Sequence, residues 1–81
     1  MRYDEAVDAF PRITIDPEVM GGKPCIRGMR VTVGMIVESL ATGRTEEQLL
    51  ADFPYLEPAD IRAALAFAAH LAQGRDIRLA S

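Results

Sequence analysis

Tryptophan is absent from these 81 residues, cysteine occurs once, and aromatic residues make up only 6% of the chain. Each shortage removes an option. With so few rings, the core must be aliphatic, built from many small burials. A lone thiol, Cys25, rules out an intrachain disulfide and suits a reducing compartment. Histidine is equally scarce. His70 stands far from Cys25 in the sequence, so neither a zinc-ligand set nor a cysteine–histidine nucleophilic pair is on offer. No carboxylate pair lies in an apolar setting suited to acid–base chemistry. No apolar run approaches the roughly 20 residues of a membrane-spanning helix. The opening MRYDEAVDAFPR carries acids where a signal peptide carries an apolar stretch. These absences predict a cytoplasmic, non-catalytic protein with no metal, no cofactor and no membrane partner.

What is present describes one small globular domain, 49% hydrophobic and 26% charged. Chains this short bury a limited share of their surface, and pairing with a second copy is a common remedy. The net charge of −3 hides a segregated pattern. Residues 11–44 hold five cations, Arg12, Lys23, Arg27, Arg30 and Arg44, against Asp16, Glu18 and Glu38. Residues 45–61 hold Glu46, Glu47, Asp52, Glu57 and Asp60 with no cation at all. On sequence alone the two blocks read as faces for different partners.

The most distinctive segment is Gly21 to Val31, GGKPCIRGMRV, with three glycines, one proline and three cations in eleven residues. A core segment would not be built this way, because glycine sacrifices backbone entropy and proline lacks a donor. It reads as a shaped, exposed, cationic loop. It is not a phosphate-binding loop, since Lys23 is followed by Pro24 rather than Ser or Thr and the glycines are adjacent. Before it, Arg12 to Asp16 alternates polar and apolar as a half-buried strand that Pro17 stops. A second short strand includes Ile26 or Met29 to Val31, its register left open by Gly28.

Three helices follow. Thr32 caps the first, Val33 to Thr42, with Gly43 beyond it. Thr45 and Gln48 form a capping-box pattern for a second that ends at Phe53-Pro54. Glu57-Pro58 opens a third that runs to about Gln73 before Gly74. The expected core comprises Ile13, Ile15, Val31, Val33, Ile36, Val37, Leu40, Leu49, Leu50, Phe53, Ile61, Leu65 and Ala68. In the third helix the reverse face, with Ala63, Ala66, Ala69 and His70, carries little charge. Together with the strand residues Ile13 and Ile15 it is the candidate partner or homodimer interface. The division is an acidic extension (1–11), one domain (12–74) and a short tail (75–81).

The candidate phosphate or DNA contacts are Lys23, Arg27 and Arg30, with Arg12 and Arg44; the simplest alternative is a solvated, charged loop. If DNA is held, the loop holds it. The second helix opens Glu46-Glu47 and the third carries Glu57 and Asp60, and acidic helices are repelled by the phosphate backbone.

The residues Ile13, Asp16-Pro17, Gly21-Gly22-Lys23-Pro24, Ile26-Arg27-Gly28 and Arg30 form a specific pattern. It continues through Gly43, Thr45, Phe53-Pro54, Leu56, Pro58, Ile61, Ala64-Leu65 and Ala68. In it the chain resembles the bacterial and archaeal family called domain of unknown function 433, over about Arg12 to Gln73. The resemblance implies an α+β, mostly α fold. Two short N-terminal strands precede a three-helix, helix-turn-helix-like body of homeodomain or winged-helix kind. It implies an antitoxin that neutralises a PIN-like nuclease toxin and binds its own operator DNA; the alternative is a stand-alone DNA-binding regulator. Two positions depart from the family pattern: Glu57 stands where Thr or Ser is common, and Met29 where Thr is common.

Overall fold

The first helix begins where two bare backbone groups are both answered. In the computed structural model, which describes residues 9–74, the Thr32 hydroxyl accepts from the Met35 amide at 3.0 Å. The Met35 sulfur accepts in return from the Thr32 amide. This is a capping box with a thioether in the place Glu or Gln usually fills. It opens α1, Val33–Ala41. Thr45 and Gln48 make the same exchange at the head of α2, Glu46–Asp52. There Glu46 and Glu47 suit the positive end of the helix dipole. The third helix, α3, is Pro58–Gly74, with proline at its first position, where no intrahelical donor is lost. The caps and breakers place the first two helices, and the start of the third, to within a residue.

Upstream, β1 (Ile13–Thr14) pairs antiparallel with β2 (Cys25–Ile26), Ile13 opposite Ile26 and Thr14 opposite Cys25. The register left open by the sequence is settled by a tight turn. The Met29 amide donates to the Ile26 carbonyl at 2.8 Å, and the Ile26 amide to the Val31 carbonyl at 2.9 Å. The two central residues, Arg27 and Gly28, have φ of 46° and 73°. Positive φ at both centres is the type I′ arrangement that matches strand twist, and Asn-Gly is its usual occupant. A second left-handed segment, Met20–Gly22 with φ of 52°, 67° and 83°, reverses the chain ahead of Lys23. The glycine pair is what makes three such residues in a row tolerable.

The architecture is thus two antiparallel strands followed by three helices, α+β and mostly α. One aliphatic core joins them: Ile13, Ile26, Val31, Val33, Ile36, Leu49, Leu56, Ile61 and Ala64, with Phe67 the largest member. α1 packs most extensively on α3. Val37, Leu40, Leu50, Phe53 and Ala68 are half-buried against this core. Ile15, just past β1, is also half-buried. The acidic extension up to residue 8, and the tail 75–81, lie outside the described residues.

Leu65 corrects the expectation of burial, being 39% exposed. Ile61, Ala64 and Phe67 define the inward stripe, and Leu65 lies about 100° round the helix from Ala64, beyond its edge. Ile13, at 1% exposure, commits its side chain to the core. Phe67→Ala should therefore cost about 3–5 kcal/mol, while Leu65→Ala stays within about 0.5 kcal/mol. Urea denaturation of the two variants checks this, and equal losses would contradict the core described here.

Candidate functional site

Directly opposed residues of an antiparallel pair point to the same face, and their sequence neighbours to the other. Ile13 and Ile26 face the core, so the next pair out, Arg12 and Arg27, faces the other way. The Arg27 amide closes that pair by donating to the Arg12 carbonyl at 2.9 Å. Both guanidiniums converge on Asp60, in the first turn of α3.

The Asp60 side chain has no solvent exposure. Its Oδ1 accepts from Arg12 Nη1 at 2.8 Å and Arg27 Nε at 3.0 Å. Its Oδ2 accepts from Arg27 Nη2 at 2.7 Å and from the Glu57 amide at 2.9 Å. Four donors fill the roughly four lone-pair positions of a carboxylate. The Arg27 contact is bidentate, the strongest geometry available to this pair. The bond from Glu57 is the returning half of a capping box, supplied by the third helical residue. Arg12 also reaches Glu57 Oε1 at 2.9 Å, and Arg27 Nη2 donates to the Tyr55 carbonyl at 3.0 Å.

Burial by itself would push the Asp60 carboxyl up. The bonds from Arg27, the Glu57 amide and Arg12 outweigh it and hold the group down at about 2. The same contacts raise both guanidiniums above their ordinary value, Arg12 mainly through Glu57 and Arg27 mainly through Asp60. The assembly is a permanent ion cluster at neutral pH. It positions groups and exchanges no proton near neutrality.

The sequence-derived cations therefore divide. Arg12 and Arg27 meet at Asp60. Arg44 stands apart and pairs with Asp52 beside α2. Lys23 and Arg30 are exposed, with no ion-pair partner among the described residues; the Arg30 guanidinium lies 3.7 Å from the Met20 sulfur. Of the five carboxylates in 45–61, Asp60, Asp52 and Glu57 are engaged, and Glu46 and Glu47 remain open. The two charge blocks mostly face each other.

The low-charge face of α3 also divides. Ala66 and Ala69 are exposed, Ala63 is half-buried against the core, and His70 is half-buried with its ring 5.5 Å from that of Phe10. Cys25 is a core residue: its thiol donates to the Lys23 carbonyl at 3.3 Å. Burial pushes that thiol up, against a weaker downward pull from Arg30. Among the described residues no three His, Cys, Asp or Glu gather as a metal site, and no helix is long and apolar enough to cross a membrane.

Within residues 45–61 Asp60 is one carboxylate among five. One signal for it existed: an acid three residues after Glu57, at the head of a helix, is placed to cap. Tyr55 was also missed. It is 53% exposed, yet held by its own carbonyl bond and by its ring standing 6.1 Å from that of Phe53.

Residues 13–68 match the family described as protein of unknown function, DUF433. An uncharacterized protein of Sinorhizobium fredii, y4eO, is 36% identical over 67 residues, which is 83% of this chain but 30% of the relative. The chain thus spans under a third of that relative's length. The crystal structure of a DUF433 member from Anabaena variabilis superposes with a TM-score of 0.73 at 30% identity, over 90% of this chain and 76% of the other.

The Asp60 carboxyl is held below its ordinary 3.8 in the folded state. Its contribution to stability is therefore complete above that value and is lost as pH falls from about 4 to about 2. The size expected is about 2 kcal/mol. Asp60→Asn should abolish this acid-sensitive window. At neutral pH it should cost about 2 kcal/mol, below the full buried-pair figure because both guanidiniums remain over a third exposed and rehydrate. Urea titrations across this range check both, and an unchanged acid limb in the variant would refute the assignment.

Proposed function

We propose that this chain, which belongs to the DUF433 family, is a non-catalytic, antitoxin-like binding protein that grips a basic protein partner through Tyr55 and the carboxylates near it in sequence. The partner class follows from the family resemblance: a PIN-like nuclease toxin. The observation that carries the reading is Tyr55 itself. A half-exposed ring whose backbone and stacking partner are already fixed loses little entropy on binding, and tyrosine is among the residues that dominate interface energies. Glu46 and Glu47, open at the head of α2, and Glu57, only partly occupied by Arg12, supply negative charge to steer a cationic surface. The structure of the ion cluster supports a holding role for the strongest charges, since each is already spent on a neighbour within the chain.

A second reading, operator DNA, rests on Lys23 and Arg30, which keep their charge available to solvent. Two loop cations make a small electrostatic footprint, so the affinity they supply is modest and salt-dependent.

The experiment is a binding titration with the protein encoded by the adjacent gene, alongside one with duplex DNA. Tyr55→Ala should weaken the protein complex about 30-fold, the size of a central aromatic contact. Glu46→Lys with Glu47→Lys should slow association without comparable change in dissociation. For DNA, Lys23→Ala with Arg30→Ala should lower the salt slope by about two units. A partner complex indifferent to Tyr55 would overturn the first reading, and a DNA slope indifferent to the two cations the second.

A further inference from the structure

One groove of about 740 Å³ stands away from the Tyr55 surface, between α1 and the second half of α3. Its floor is apolar, with half-buried Met35, Val37, Ala68 and Leu71. Its rim carries two charges of opposite sign, Lys23 and Glu38, both exposed. Neither has an ion-pair partner among the described residues, whereas Arg12, Arg27 and Arg44 each meet a carboxylate.

The positions of these two charges are set by the fold. The Val33 amide donates to the Pro24 carbonyl at 2.9 Å, which pins Lys23 at the α1 N-terminal end of the groove. Glu38 lies five residues further along α1 than Val33, about 7.5 Å at 1.5 Å per residue. The groove is therefore positive at one end, apolar in the middle and negative at the other. The surface that complements such a strip is the same strip turned end for end. That is the self-complementarity a two-fold interface requires, in which residue i meets j and j meets i.

We infer that a second copy of this chain covers the groove, in a two-fold dimer that sets each Lys23 against the Glu38 of the partner subunit over the Met35, Val37, Ala68 and Leu71 floor. The groove shares no residue with the Tyr55 surface, so failure of one leaves the other standing; it shares Lys23 with the DNA reading, which this dimer leaves to Arg30. The dimer differs from one built on Ile13, whose side chain the core has already taken.

The test is sedimentation equilibrium of the full chain at micromolar concentration, with circular dichroism to verify that each variant is folded. The parent should be a dimer. Lys23→Glu or Glu38→Lys alone places like charges at both ends of the interface, and each should raise the dimer Kd about tenfold or more. The double exchange, Lys23→Glu with Glu38→Lys, restores opposite charges and should bring the Kd back towards the parent value. A monomeric parent overturns the inference and leaves the groove to another partner. A dimer unmoved by either single exchange, or single losses that the double exchange fails to repair, overturns it equally.

Discussion

The carboxylate of Asp60 is the point on which the rest of the structure turns. Four segments end at its two oxygens or one bond away: β1 through Arg12, the β2 turn through Arg27, the α2–α3 link through Tyr55 and Glu57, and α3 itself. A buried charge is expensive unless paired and fully hydrogen-bonded, and both conditions are met here. Two residue pairs in a single hairpin would be marginal alone. Tied to a helix terminus by a fork of charge-assisted bonds, and backed on the other face by Ile13 and Ile26 in the core, the hairpin has a defined position on the helical body.

This changes what the charge pattern means. A chain that runs from a basic block to an acidic one looks equipped for two external partners of opposite sign. Folding instead brings the blocks together, Arg12 and Arg27 on Asp60, Arg12 on Glu57, Arg44 on Asp52. Among the described residues the charges with no ion-pair partner are Lys23, Arg30 and Arg62 on one side, and Asp16, Glu18, Glu46 and Glu47 on the other, with Glu38 at the groove. Recognition then depends less on field strength than on where an aromatic ring or an apolar strip sits between those few charges.

The helices were legible because their signals are local. Thr32 and Thr45 with their partners three residues on, Pro58 and Gly43 each act within one turn, and no tertiary contact overrides them. The core was legible in most of its members for the same reason. Leu65 was not, because an arc as broad as that of α3 leaves its centre undetermined until a neighbour chooses it; Phe67 and Ala64, facing α1 and the strands, made the choice. The ion cluster was hidden for a stronger reason. Its pairings span 33 to 48 residues, and they follow from a strand register that Gly28 left undecided. Tyr55 was hidden behind it, since its exposure and its fixity both come from the bond its carbonyl makes to Arg27.

Position 27 carries two demands that few side chains meet together. The turn asks for a residue at ease with φ of 46°, which favours asparagine or glycine and tolerates arginine only at some expense of strain. The buried carboxylate asks for a planar, always-charged fork. Asparagine satisfies the backbone and abandons the charge; lysine keeps the charge but offers a point where Asp60 is built for two parallel bonds. Such a site has almost no neutral neighbours in sequence space. Drift there would have to be accompanied by change at Asp60 or in the turn itself, so the turn and a carboxylate 33 residues further on constrain each other.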